Sequence, residues 1–192
     1  MNNYAFGAEL DHQLKLRFCN MLEGSMIVSS KPFCSLHFRI NSRNLNDIGT
    51  ILNIDFEPLG STTFKNERMN QAVEPDACFY IKNYQAVIGK NRLNLESDPP
   101  PDLVLEIDIT SRTYLDNYRQ LGVPELWRYT QSGLQINLLQ EGEYIESLSS
   151  PNFPQIPIIE LINQSVKQSQ QLGRSEAIRN FKNWLTENID NS

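Results

Sequence analysis

Two observations predict a mixed α/β domain for this chain of 192 residues. Short runs rich in β-favouring residues follow one another between Ile54 and Pro154, interrupted by one short helix. Runs with the apolar spacing of a helix lie before and after that region. We expect one domain, 1–192, made of an N-terminal hairpin region (1–35), a core (36–150) and C-terminal helices (151–192).

The N-terminal part of the chain predicts a hairpin followed by a helix. Two apolar stretches flank Glu23 and Gly24, and a glycine there can take the positive φ of a tight turn. From about Ser35 to Asn53, apolar residues recur at spacings that place them on one face of a helix.

Two runs in the middle of the chain predict strands that carry acidic side chains. DACFYIK follows a proline, which fits the first residue of a strand and puts Asp76 at its start. DLVLEIDI follows a triple proline, and its leucines and isoleucines alternate with residues that are mostly acidic. Period-two geometry therefore places Glu106 and Asp108 on the same side of the sheet, about 6 to 7 Å apart.

The second half of the chain predicts a helix, three strands and two further helices. Thr110 or Ser111 begins a helix that ends at Leu121, and Gly122 suits its left-handed terminal residue. ELWRYT, GLQINLLQ and EYIESLS follow as strands, the last two joined through Glu141 and Gly142. The terminal helices run from about Ile158 to Leu172 and from Ser175 onward, with a break at Gly173.

Carboxylates from the two middle strands are the candidate functional residues. Side chains on adjacent strands converge at one end of a sheet, and Mg²⁺ or Mn²⁺ prefers oxygen ligands of this kind. Such an ion beside a phosphate would polarise it and lower the pKa of an attacking water. The alternative is that these carboxylates are solvated side chains without a ligand.

Charge and composition exclude several other classes of protein. The formal net charge of −6 gives no global positive field, so DNA binding would need a local basic surface. The three cysteines and the two histidines, His12 and His37, lack the spacing of a zinc site. The odd number and wide spacing of the cysteines fit reduced thiols. With no apolar run of membrane-spanning length and no signal peptide pattern, we expect a cytoplasmic protein that has no membrane partner.

Four ordered motifs resemble those of the Uma family of endonucleases: GSTTFKNE at 60–67, EPDACFYIKN at 74–83, DPPPDLVLEIDITS at 98–111 and LGVPELWRY at 121–129. The resemblance implies the restriction-endonuclease-like fold of the PD-(D/E)XK superfamily, a mixed central sheet flanked by helices. It also implies a magnesium-dependent endonuclease, a hydrolase that cuts DNA, and a homodimer.

Carried onto this sequence, the family pattern assigns metal ligands to Asp76 and Glu106, with Asp108 as a third. Asp108 stands where the superfamily has a lysine, which normally steadies charge on the phosphate. Lys65 or Arg112 would supply that positive charge, although a guanidinium cannot act as a base at neutral pH. The predicted catalytic set is therefore Asp76, Glu106, Asp108, Lys65 and Arg112, with Mg²⁺ or Mn²⁺ held by the first three.

Two other functions stay open on the sequence. One is a catalytically inactive member of the same fold that serves as a binding or assembly protein. The other is a small-molecule hydrolase that uses the same carboxylates. A metal-dependent rise in melting temperature would count against the inactive protein.

Overall fold

The computed structural model describes residues 44–59, 62–64, 73–90, 93–94, 97–108 and 115–189. All of these residues lie in Leu36–Ser192, the second of the two units into which the chain divides, and only that unit is described below. The predicted N-terminal hairpin, Lys65 and Arg112 lie outside the described residues. The single domain 1–192 stays a prediction.

Six strands form one mixed sheet whose spatial order follows the order of the chain. They are β1 (Glu57–Pro58), β2 (Ala77–Tyr80), β3 (Leu103–Ile107), β4 (Glu125–Thr130), β5 (Gly133–Gln140) and β6 (Glu143–Ser147). β3 and β4 are parallel, and the other four neighbouring pairs are antiparallel.

A short 3₁₀ helix spans Tyr84–Ala86, and four α-helices accompany the sheet in the described part of the chain. They are α1 (44–51), α2 (Leu115–Leu121), α3 (Ile158–Leu172) and α4 (Arg174–Ile189). The predicted fold class, a mixed α/β domain with a mixed sheet and C-terminal helices, is confirmed. In the described part of the predicted strand STTFK, Phe64 forms an isolated bridge with Val73.

The connection between β3 and β4 has to cross over because parallel strands cannot be joined by a tight turn. α2 lies in this connection and ends as the sequence predicts, with Gly122 at a φ of 79°. The amide of Gly122 donates to the carbonyl of Tyr118 at 3.0 Å, which closes the last turn of the helix. β4 then begins at Glu125 beside β3.

The two faces of the sheet pack against different elements. On one face Cys78, Val104 and Leu126 lie in register and pack with Tyr118 and Leu121 of α2.

On the opposite face Trp127 packs edge-on against Phe153, with ring centroids 6.1 Å apart. α3 contacts β5, where the amide of Leu134 donates to the Asn163 side chain at 2.9 Å. All five residues of β3 are buried because both faces are covered.

Among the described residues, none of the helices combines the length and the apolar character needed to cross a bilayer.

Candidate functional site

Asp76 and Glu106 lie at the same end of the sheet, as the sequence predicts. The antiparallel register pairs Ala77 with Leu105, so the next pair outward joins Asp76 and Glu106. Directly opposed residues project to the same face. The Asp76 carboxylate does not project into open space, because its Oδ2 accepts the backbone N–H of Ile107 at 2.8 Å.

Glu106 is held by a tyrosine from the helix above it. The Glu106 side chain is buried, with the residue 6% exposed, and its Oε1 accepts a short hydrogen bond from the hydroxyl of Tyr118. Burial raises the pKa of Tyr118 well above its usual range, and the negative charges of Glu106 and Asp76 raise it further. Tyr118 therefore stays protonated and donates its hydrogen bond across the physiological range.

Asp108 is neutralised by an arginine from the neighbouring strand. Parallel pairing places Arg128 beside Glu106, and its guanidinium reaches Asp108 two residues further along β3. Nε and Nη2 of Arg128 lie 2.8 and 2.6 Å from Oδ2 of Asp108. The two side chains are 17% and 5% exposed, so this is a largely buried ion pair. Sequence reasoning placed Asp108 on the correct face but missed its partner.

These three carboxylates share a face without forming an open cation site in the described structure. No group of three or more Asp, Glu, His or Cys side chains that could hold a metal occurs within the described ranges. Lys65 and Arg112 lie outside those ranges. The assignment of these five residues to a site stays a prediction.

Another buried carboxylate, Glu125, lies at the start of β4 and was not among the predicted site residues. It is 1% exposed, and it accepts hydrogen bonds from Trp127 Nε1 at 2.5 Å and Asn152 Nδ2 at 2.6 Å. Burial raises the pKa of Glu125, while hydrogen bonds from Ser150, Trp127 and Asn152 oppose that shift. The alternation ELWRY would have placed Glu125 on the side of Trp127, which was a usable signal.

A further buried carboxylate, Asp102, accepts hydrogen bonds from the turn that follows β2. Its Oδ2 accepts the amides of Ile81 at 2.7 Å and Asn83 at 3.0 Å, and its Oδ1 accepts the Asn83 side chain at 3.0 Å. Three hydrogen bonds to one buried carboxylate satisfy the turn's amides, which gives Asp102 a structural role.

Comparison with known proteins points to a different activity from the predicted one. A family model described as "Histone methylation protein DOT1" matches residues 1–63. A curated relative from Drosophila melanogaster, named "Histone-lysine N-methyltransferase, H3 lysine-79 specific", is 55% identical over 58 residues. That alignment covers 30% of this chain and 3% of the relative, so the chain spans a small fraction of the relative's length.

One solved structure is similar over most of the chain but only loosely. It is described as a nuclease belonging to DUF820 from Anabaena variabilis, and it covers 78% of this chain and 82% of its own. The sequence identity is 12% and the TM-score is 0.40. A similarity this distant has no bearing on what this protein does.

The predicted membership of the Uma family is wrong, because the family model that matches residues 1–63 is described as DOT1 and a curated relative is named as a histone methyltransferase. The prediction of a magnesium-dependent DNA endonuclease, and with it the description as a hydrolase, is wrong for the same reason. The names of both matches describe methylation, which does not use a nuclease metal, so the predicted Mg²⁺ or Mn²⁺ is also wrong. The alternative of an inactive nuclease-fold assembly protein is overturned with it.

The geometry gives a physical reason for these corrections. The motifs that suggested a nuclease are short strand and turn patterns, in which acidic residues also serve structural purposes. Asp76 accepts a backbone amide, and Asp108 carries its own guanidinium counter-charge from Arg128. A paired carboxylate is a poor cation ligand, because the ion would first have to displace the arginine.

Proposed function

We propose that this chain acts in histone methylation, with histone H3 as its substrate protein. The observation that carries the proposal is the match of residues 1–63 to the DOT1 family model, supported by 55% identity over 58 residues to a histone H3 methyltransferase.

The end of the matched segment belongs to the packed unit described above, which supports a joint role. Leu45 and Ile48 of α1 are buried, and Asn44 Nδ2 donates to Ser165 Oγ of α3 at 3.1 Å. Asp47 of α1 pairs with Lys182 of α4 at 2.9 Å. The end of the DOT1-like segment therefore packs against the two C-terminal helices, α3 and α4.

The methyl donor of DOT1 methyltransferases is S-adenosylmethionine. An apolar cavity lined by Leu45, Gly49, Phe56 and Phe153, among others, has a volume of about 10 Å³. That volume accommodates about one water molecule, so this cavity does not fit a nucleoside-sized donor. The residues that line this cavity therefore do not bind the methyl donor in this proposal. The described unit is proposed to bind the histone.

The proposed substrate also bears on partners and location. Histones are chromatin proteins, so we expect a nuclear location in place of the cytoplasmic one. The predicted homodimer and the predicted contact with DNA stay predictions, to be examined by sedimentation and by DNA-binding titration.

The experiment is a methyl-transfer assay on the full chain with tritiated S-adenosylmethionine. Recombinant histone H3 and reconstituted nucleosomes serve as substrates, and the control is histone H3 whose target lysine is replaced by arginine. The proposal expects label on histone H3 that the control lacks, or, for a chain that only binds, retention of histone H3 on immobilised protein. The proposal would be overturned if histone H3 carried no label and was retained no better than on an unrelated acidic protein.

A further inference from the structure

Within the described part of the chain, no strand pairs with the outer edge of β6, which carries a row of backbone hydrogen-bonding groups. β6 is the last strand of the sheet. The turn through Glu141 and Gly142 has positive φ at both residues, 50° and 83°, as in a two-residue type I′ hairpin.

This turn determines which amides face outward. In such a hairpin the residues that flank the turn, Gln140 and Glu143, form a hydrogen-bonded pair, and bonded pairs then alternate along the ladder. Ile145 therefore bonds β5, while the N–H and C=O groups of Tyr144 and Glu146 point away from it. The edge offers two donors and two acceptors in the spacing that an added strand needs.

Apolar side chains accompany these groups. Ile145 is 51% exposed and Leu148, just beyond the strand, is 90% exposed, two of the four large apolar side chains exposed in the described residues. Tyr144 anchors the strand from its other face, where its hydroxyl donates to the Val123 carbonyl at 2.7 Å. The edge is thus held in place and presents apolar surface to solvent.

The charge around this edge is negative. Glu141, Glu143 and Glu146 are exposed on the hairpin, and β5 contains no charged residue. α2, the helix in contact with β6, contributes Asp116 and Arg119. Arg119 bonds Glu143 at 2.5 Å and Asp116 at 3.0 Å, which leaves four carboxylates against one guanidinium.

We infer that β6 binds an extended segment rich in lysine and arginine, which adds to the sheet as a further strand. The inference rests on the proposed function, because histones are the basic protein class that the matched relatives' names imply. Backbone bonds from Tyr144 and Glu146 would supply register, Ile145 would contact an apolar side chain, and the glutamates would attract basic ones. A second copy of this chain suits the edge poorly, since it would bring the same carboxylates together.

The test uses the full chain and a fluorescent peptide of alternating lysine and valine, titrated by anisotropy. A matched peptide carries an N-methyl group on every backbone nitrogen, which removes its donors on both edges and keeps every charge. We expect the unmodified peptide to bind about ten-fold more tightly, the effect of losing one or two hydrogen bonds. Equal binding of the two peptides would overturn the inference, and this comparison does not depend on any variant folding.

Two substitutions at one position separate charge from backbone. Glu146→Gln removes the charge and keeps the outward N–H, and it should weaken binding about two- to five-fold. Glu146→Pro also removes the N–H, at an edge position where proline is tolerated, and should weaken binding about ten-fold further. Equal affinities for the two variants would contradict the inference, as would a dimer in sedimentation that Glu146→Pro dissolves.

Failure of the inference and failure of the proposed function can be told apart. If the Glu146→Pro variant methylates or retains histone H3 as well as the wild type does, the proposed function stands and the inference about β6 is overturned. If the wild type binds the alternating peptide through β6 but neither methylates nor retains histone H3, the inference about β6 stands and the proposed function is overturned.

Discussion

Replacing Arg128 by methionine should destabilise the protein strongly, because it leaves Asp108 buried without its counter-charge. Both guanidinium bonds end on Oδ2 of Asp108, at 2.8 and 2.6 Å, and the aspartate side chain is only 5% exposed. Removing one partner of a buried pair costs about 3 to 5 kcal/mol. Since Arg128 is itself 17% exposed and water can approach, we expect the lower end, about 3 kcal/mol.

The assay is urea unfolding followed by circular dichroism, in which about 3 kcal/mol shifts the midpoint by about 1 to 3 M. The double variant Arg128→Met with Asp108→Leu is the matched control and should recover most of the loss, because no charge is left buried. A cost below about 1 kcal/mol for Arg128→Met, as for an exposed pair, would refute this reasoning. Magnesium should leave the wild-type midpoint unchanged, because Asp108 is already paired.

Three further predictions concern other buried positions. The Gly49 Cβ position lies 2.2 Å from the ring of Phe56, so Gly49→Ala should cost about 1 to 3 kcal/mol in urea unfolding despite better helix propensity; a stabilised variant would contradict the close approach. Burial raises the pKa of Glu125 above its value of 4.5 in the unfolded chain, so this residue lowers stability as pH rises above that value. Glu125→Gln should therefore gain stability relative to wild type from about pH 4 to about pH 7, and a difference that is the same at both pH values would count against it. Tyr118→Phe should cost about 1 to 3 kcal/mol, measured by thermal unfolding, through loss of the hydrogen bond to Glu106; an unchanged midpoint would show that the bond contributes nothing.

Local signals in the sequence were enough to locate most of the elements. The predicted helix from Ile158 to Leu172 is α3, the break at Gly173 is present, and the hairpin turns at Glu141 and Gly142. These features depend on side-chain spacing of two, three or four residues and on the φ that glycine tolerates, all of which can be read from a short window. The common face of Glu106 and Asp108 was predicted correctly for the same reason.

The function could not be read from that window. Short strands with acidic residues suggested a nuclease, whereas the DOT1 family model matches residues 1–63, where the sequence patterns predicted only a hairpin and a helix. That region carries few of the turn and strand signals on which the motifs depended. The proposal of histone methylation rests on the match of that segment to the family model.

By itself, the sequence determined the mixed α/β class, the order of the elements and the common face of Glu106 and Asp108. Only the tertiary structure decided what those side chains meet: Tyr118 for Glu106, Arg128 for Asp108 and Asn152 for Glu125, at separations of 12, 20 and 27 residues. Backbone periodicity is a local property, but the partner of a charge depends on strand register and on where a helix docks. Those are set by packing across the whole core, where a low dielectric makes each pairing matter.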